Sequence, residues 1–187
     1  MISNKSDMVP IATQIARTFP LYCTKTAKTQ KRVFKLQFTN VDVTKEISLS
    51  DKSGLITLMD NVRRAARIGD MPPNLMHCTE FLKEAATVVK DLDNEKVEMK
   101  VIQGDELEKQ GFGGIWSVGM AAVEPPALCI LSFIADKEAE TKNICLVGKG
   151  ITYDTGGLSI KTTGMPGMKH DCGGAAGLLY RVGFAEM

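Results

Sequence analysis

The stretch Val147-Gly-Lys-Gly-Ile-Thr-Tyr-Asp-Thr-Gly-Gly-Leu-Ser-Ile-Lys161 continues the short apolar run Ile144 to Val147 and mixes charged side chains with glycine. A nearly all-apolar run of this length is typical of a central strand that is covered on both faces. Ligands in α/β sheets bind beyond the carboxyl ends of such strands. The glycine-rich segment, which extends to Leu178, is therefore the expected position of a site. Its four candidate functional residues are Lys149, Asp154, Lys161 and Asp171.

The rest of the chain alternates helical and strand patterns. Hydrophobic spacing predicts helices over Val9 to Arg17, Gly54 to Ile68, a segment capped by Thr79 that runs to Val89, and Asp105 to Gln110. It predicts strands over Val33 to Phe38, Val97 to Val101, Ile115 to Val118, Ala127 to Phe133 and Ile144 to Val147. The alternation indicates an α/β fold. The composition is rich in loop residues before Gly54 and regular after it, so we expect the helix at 54–70 to connect an N-terminal part, 1–53, to a main domain, 71–187.

Composition and charge favour a soluble protein with small ligands. The chain has 187 residues, of which 44% are hydrophobic and 24% charged, and its net charge of +1 provides no basic field for nucleic acid. No run approaches the roughly 18 apolar residues of a membrane span, and the polar segment Met1 to Asp7 does not resemble a signal peptide. Five scattered cysteines suggest reduced thiols rather than disulfides, with Cys129 and Cys145 packed inside strands. We therefore expect a cytoplasmic protein.

The four charged residues suit metal chemistry. Two carboxylates flanked by glycine fit a hard or borderline divalent ion bound through oxygen. A lysine joins such a site only as the neutral amine, because an ammonium has no lone pair to donate. A lysine that stays charged would instead stabilise an oxyanion. Lys149 and Lys161 can divide these two tasks, and the residue types alone leave open which lysine takes which.

Other motifs fail when they are compared with the sequence. A phosphate loop requires Ser or Thr after the lysine, but Gly150 follows Lys149. A dinucleotide fingerprint that begins at Gly148 finds Tyr153 at its third glycine position. The only histidines, His77 and His170, lie too far apart for a His-Glu-x-x-His zinc motif.

The segments Gly148-Lys-Gly150, Asp154-Thr-Gly-Gly157, Ser159-Ile-Lys161 and Met168-Lys-His-Asp-Cys-Gly-Gly-Ala-Ala176 resemble, in this order, the leucyl aminopeptidase (cytosol aminopeptidase) family of two-metal exopeptidases. Two further segments, Ala66-Arg-Ile-Gly-Asp-Met-Pro-Pro-Asn74 and Glu124-Pro-Pro126, extend the resemblance from about Leu55 to the end. Tyr153 and Leu158 are closer to the probable-aminopeptidase subgroup.

The resemblance implies a mixed β-sheet flanked by helices, in an incomplete catalytic domain preceded by the remnant of a smaller N-terminal domain. It implies that Lys149 and Asp171 ligate one metal, that Asp154 bridges two, and that Lys161 polarises the scissile carbonyl. Family members use zinc or manganese to activate water, hydrolyse N-terminal residues from peptides, and assemble as homohexamers. No nucleic-acid or membrane partner is expected.

One part of the family pattern is absent from these 187 residues. The motif Asn-Thr-Asp-Ala-Glu-Gly-Arg supplies two further ligands and an arginine, so the chain carries three of about five ligands. The segment between Lys161 and Asp171 is also one residue shorter than is usual. We therefore expect the isolated chain to be inactive and to expose apolar surface. The alternative is a non-catalytic truncated homologue that acts as a binding or assembly protein.

Several residues near the candidate site have simpler interpretations. Asp171 could cap a helix over Gly173 to Val182, a role that is compatible with metal ligation. Cys172 is expected to be a small buried neighbour rather than a nucleophile, and His170 to be exposed or to support a ligand. Met165 and Met168 could line an apolar pocket.

Overall fold

The computed structural model describes residues 7–25, 49–92, 95–134 and 144–181. Six α-helices occur in this part: α1 (Met8–Thr18), α2 (Leu49–Asp70), α3 (Cys78–Leu92), α4 (Asp105–Lys109), α5 (Gly113–Gly119) and α6 (Gly173–Leu179). The strands are β1 (Val97–Gln103) and β2 (Ala127–Phe133), and a 3-10 turn spans Met165–His170. The predicted strand Val33 to Phe38 lies outside the described residues. No helix of the described part is long and apolar enough to cross a bilayer.

The sheet of the described residues is an antiparallel pair. β1 and β2 run in opposite directions, with Val97 opposite Phe133 and Gln103 opposite Ala127. Helices α4 and α5 form the connection between the two strands. The predicted mixture of helices and sheet is confirmed, as are the predicted strands at β1 and β2.

The main hydrophobic core contains residues of α2, α3 and α6. Glycine and alanine dominate α6, Gly-Gly-Ala-Ala-Gly-Leu-Leu, which lets neighbouring backbones come close. The buried residues of this core are Ile68, Met76, Ala85, Val88, Cys172, Ala176, Leu179 and Tyr180. The helix at the C-terminal end of the glycine-rich segment is thus anchored in the core.

Helix α1 packs along α2. The small side chains of Ala12 and Ala16 are buried in this contact. Arg63 Nε of α2 donates to the carbonyl of Phe19, just beyond α1, at 3.0 Å. The predicted helices at Val9 to Arg17 and Gly54 to Ile68 are confirmed, and the second begins earlier, at Leu49.

The predicted strand at Ile115 to Val118 is wrong, because these residues belong to α5. The amides of Ile115 and Trp116 both donate to the carbonyl of Phe112 at 3.1 Å, so local bonds satisfy this backbone. β1 takes β2 as its partner instead.

The predicted strand at Ile144 to Val147 is also wrong, since residues 144–150 adopt no regular secondary structure. Ile144 and Val147 are 86% and 90% exposed, and Cys145 is exposed rather than packed in a strand. A strand needs a hydrogen-bonded neighbour, and within the described ranges only β1 and β2 pair. Cys129, in β2, is half-buried.

The predicted capping role of Thr79 is wrong as well. α3 begins one residue earlier, at Cys78, and the Thr79 hydroxyl donates to the carboxylate of Glu124.

Candidate metal centre

Lys149 is held by its backbone against the start of α6. Its carbonyl accepts a hydrogen bond from the Ala175 amide at 2.8 Å. A Cβ on Gly148 would lie 2.7 Å from Ala175 Cα, and one on Gly174 would lie 3.0 Å from the Lys149 amide nitrogen. Only glycine permits this approach of chain to helix, and the contact fixes where the Lys149 side chain starts.

Asp154 begins a tight turn that brings Lys161 back to it. The Gly156 amide donates to Asp154 Oδ1 at 2.8 Å, and the Lys161 amide donates to the Thr155 carbonyl at 2.9 Å. Gly156 has a φ of +93°, a conformation that side-chain-bearing residues avoid. The result is an ion pair in which Lys161 Nζ lies 3.3 Å from Asp154 Oδ2.

Asp171 follows the Met165–His170 turn and faces Lys149. Lys149 Nζ lies 2.8 Å from Asp171 Oδ2, with the lysine side chain 59% and the aspartate 19% exposed. Oδ2 is buried, and its close partner is the Lys149 ammonium. A buried carboxylate oxygen in this state retains capacity for another ligand.

Electrostatics link the two ion pairs. The pKa of Lys149 is raised, mainly by Asp171, with a further contribution from the charge of Asp154. The pKa of Asp154 is lowered, first by the Gly156 amide and then by Lys161 and Lys149. The charges of both carboxylates therefore stabilise the protonated form of Lys149. The structure pairs Lys149 with Asp171 and Lys161 with Asp154.

This set of groups fits a divalent cation. Within the described ranges there is no cluster of three or more His, Cys, Asp or Glu residues, so a site here would have to use a lysine amine with two aspartates. The buried Asp171 Oδ2, whose close partner is the Lys149 ammonium, is suited to an ion. Lys149 occupies the corresponding space as an ammonium and would have to lose its proton to ligate.

The neighbours of Asp171 agree with their simpler interpretations. Cys172 is buried, and burial raises the pKa of its thiol, which makes it a poor nucleophile. Cys172, not Asp171, occupies the N-cap position of α6, and no side-chain capping bond is made there. The Asp171 carboxylate is therefore free of the capping role.

Sequence reasoning missed a polar cluster beside the site. His77 Nδ1 lies 3.5 Å from Glu124 Oε2, and the Thr79 hydroxyl also donates to Glu124. The Cys78 thiol, whose pKa is raised mainly by burial, interacts with Thr152, two residues before Asp154. The available signal was the motif Glu124-Pro-Pro126, whose prolines restrict the backbone of the loop. This cluster joins the start of α3 to the chain that leads into the Asp154 turn.

Residues 63–186 match the sequence profile of the cytosol aminopeptidase family, catalytic domain. The chain is 42% identical to the probable aminopeptidase NPEPL1 of Mus musculus over 184 residues, which is 96% of this chain and 34% of that protein. It is 42% identical to leucine aminopeptidase 1 of Caenorhabditis elegans over 175 residues, 92% of this chain and 34% of that protein. The chain spans about a third of the length of these relatives.

Solved structures give the same result. The structure of Caenorhabditis elegans leucine aminopeptidase (LAP1) superposes with a TM-score of 0.84 at 38% identity, covering 94% of this chain and 34% of that one. Leucyl aminopeptidase from Leishmania major, in complex with actinonin, gives a TM-score of 0.80 at 32% identity, covering 96% and 35%. On its profile match, its identity to relatives and its fold, the chain belongs to the cytosol aminopeptidase family.

Proposed function

We propose that this chain carries the first metal ligands and the carbonyl-polarising lysine of a leucyl-aminopeptidase-type peptidase. Lys149, Asp154 and Asp171 are the metal ligands and Lys161 is the catalytic residue. The observation that carries this proposal is the pairing of Lys149 with Asp171 and of Lys161 with Asp154 on a glycine-dependent backbone. The proposed substrates are peptides, whose N-terminal residues are removed.

Each residue has a physical role in this scheme. The lowered pKa of Asp154 keeps its carboxylate ionised and able to bind a cation across the neutral range. Lys161, whose amide is fixed to Thr155, holds an ammonium beside Asp154 and can donate to the carbonyl oxygen of a bound peptide as charge develops on it. A pair of divalent ions, when bound, supplies an activated water and a clamp for the free amino terminus.

Further properties are proposed from family membership. We propose zinc or manganese as the ions, a homohexameric assembly and a cytoplasmic location. The division into an N-terminal part (1–53), a connecting helix (54–70) and a catalytic part (71–187) is proposed as well. Helix α2, Leu49–Asp70, supports the proposed connector, because it contacts both α1 and α6.

The 187 residues do not contain the Asp-Ala-Glu-Gly-Arg segment, so we propose that the isolated chain is inactive. Without the remaining ligands, a two-metal pair would lack the closed coordination that holds both ions. The same observation favours the alternative, a non-catalytic homologue that binds or assembles with partners. The two proposals differ in whether the reading frame continues into that segment.

Metal binding tests the site directly. Titration of the full chain with Mn²⁺ in a calorimeter should give stoichiometric binding that Asp154→Asn and Asp171→Asn each abolish. The matched control is Asp60→Asn, since Asp60 is an exposed aspartate paired with Arg63 on α2. Binding that survives both site substitutions would overturn the assignment of the ligands.

Activity is a separate test. The isolated chain, incubated with a leucyl-amide substrate and excess Mn²⁺, should show no hydrolysis above background. Hydrolysis that is lost on Lys161→Met would show that the proposed inactivity is wrong while supporting the role of Lys161.

A further inference from the structure

The C-terminal end of α2 receives two cationic side chains from distant parts of the chain. Arg17 Nη1 and Nη2 donate to Asp70 Oδ2 and Oδ1 at 2.9 and 2.8 Å, a bidentate pair. Lys169 Nζ donates to the backbone carbonyl of the same Asp70 at 2.9 Å. The Asp70 side chain is only 17% exposed, so this contact is partly shielded from solvent. One residue thus joins α1, α2 and the Met165–His170 turn.

The turn also rests directly on the α2 backbone. A Cβ on Gly69 would lie 2.9 Å from His170 Nδ1, so the His170 side chain packs directly against Gly69. Lys169 and His170 are the two residues that immediately precede Asp171. The residues that precede Asp171 therefore pack against the C-terminal end of α2.

Asp171 continues the chain directly from this turn. Its buried Oδ2 has the Lys149 ammonium as its close partner, and its amide donates only within the turn, to Met168 at 3.1 Å. At the start of the turn, Gly164 adopts a φ of +71°, and it has no side chain that could pack against a neighbour. The attachment of the turn to α2 is therefore one restraint on the position of the carboxylate, beside its 2.8 Å contact with Lys149 Nζ and the buried neighbour Cys172.

We propose that Asp70 and Lys169 are positioning residues for the metal ligand Asp171, and that Arg17 of α1 holds Asp70 in place. This inference rests on the proposed function, because it assigns a purpose to the geometry of that ligand. It extends the metal centre to α1, which lies outside residues 63–186 that match the family profile. Outer residues that orient a ligand typically change metal affinity by about 10- to 100-fold.

Two measurements on the full chain test this proposal. The variant Lys169→Met keeps the aliphatic stem and removes the donor, and Arg17→Met does the same at the other end of the connection. The control is Lys83→Met, since Lys83 pairs with Glu80 on the exposed face of α3. Amide hydrogen exchange of the segment 164–172 should rise in both variants, while exchange over α3 stays unchanged.

The second measurement is the Mn²⁺ affinity, which we expect to fall about tenfold in Lys169→Met. The separate variant Lys169→Arg keeps a donor and should bind Mn²⁺ with an affinity near that of the wild type. The double variant should be less than additive, because both substitutions act through Asp70. Exchange over 164–172 that matches the Lys83→Met control, or a rise spread evenly over the chain, would overturn the inference.

The outcomes separate the two proposals. If Asp171→Asn abolishes Mn²⁺ binding while Lys169→Met leaves both binding and exchange unchanged, the metal site stands and the positioning inference fails. If the wild-type chain binds no Mn²⁺, the proposed metal site of this chain fails, and the exchange data alone decide whether Lys169 fastens the turn.

Discussion

Asp154 and Lys161 face each other across a closed turn: their charged atoms lie 3.3 Å apart, and Gly156 supplies the amide that holds the other oxygen of Asp154. The seven-residue separation in sequence is bridged because the Lys161 amide returns to Thr155. The geometry of a candidate ligand and of a candidate catalytic residue is thus set by one glycine.

Gly156→Ala should disrupt this pairing. Alanine would place a Cβ 2.2 Å from the Ser159 carbonyl oxygen and would have to adopt a φ of +93°. We expect a local cost of roughly 1–3 kcal/mol and loss of Mn²⁺ binding, measured by urea unfolding and calorimetric titration. Gly157→Ala is the matched control, because its φ is also positive but its Cβ would meet no atom within 4 Å. Equal effects at the two positions would contradict the importance of the Gly156 contact.

Gly148→Ala should loosen the contact between the chain at Lys149 and α6. The new methyl group would overlap Ala175 Cα at 2.7 Å, and overpacking of this kind costs about 1–3 kcal/mol. The free energy of unfolding, from urea denaturation, is the measurement. The control is Gly177→Ala. Gly177 lies within α6 and a Cβ there would meet no atom within 4 Å, so alanine should raise the free energy of unfolding by about 0.5–1 kcal/mol. A neutral Gly148→Ala would show that the close approach is not required.

Metal binding should release a proton from Lys149. Asp171 raises the pKa of this lysine, so it is charged at neutral pH, whereas Asp154, with its lowered pKa, is already ionised and has no proton to give. We expect about one proton per ion and an affinity that increases with pH through the neutral and alkaline range. Titrations in buffers of different ionisation enthalpy measure the release. A value near zero would exclude Lys149 as a ligand.

Tyr180→Phe should weaken the packing of α6. The Tyr180 hydroxyl lies 3.1 Å from Glu84 Oε2, and Arg67 pairs with the same carboxylate, so α2, α3 and α6 meet at this point. Loss of one hydrogen bond should cost about 1 kcal/mol at neutral pH, measured by thermal and urea unfolding. Tyr22→Phe, in the segment after α1, provides the control.

The same tyrosine makes stability depend on pH. Burial, and then Glu84, raises the pKa of Tyr180 in the folded chain. The contribution of Tyr180 to the free energy of unfolding is therefore complete below its pKa in the unfolded chain, about 10, and is lost as the pH rises through its higher pKa in the folded chain. The difference between wild type and Tyr180→Phe should shrink above about pH 10. A constant difference would mean that Tyr180 does not titrate differently on folding.

Much of the fold could be predicted from periodicity. The alternating apolar residues of β1 and the apolar run of β2 predicted these two strands, and helical spacing predicted α2. The candidate residues could be singled out because glycine near Lys149 and Asp154 permits close approach of the backbone, and their role as a metal site stays a prediction. The structure adds the pairing, with Lys149 beside Asp171 and Lys161 beside Asp154.

The errors have physical causes. Ile115 to Val118 has strand composition, but the Phe112 carbonyl can accept two amides locally, which favours the helix. Ile144 to Val147 has the composition of a buried strand, and composition does not specify the partner that a strand requires. The contacts at Asp70 could not be foreseen either, since Arg17 and Lys169 lie 53 and 99 residues away in sequence.

The packing of α1 on α2 bears on where the domain can be cut. A polypeptide that begins at residue 63, where the family profile starts, would omit α1 and more than half of α2. It would uncover the side of α2 against which Ala12 and Ala16 are buried, and it would strip Asp70 of its guanidinium partner. Expression boundaries for this family member should therefore begin ahead of Met8.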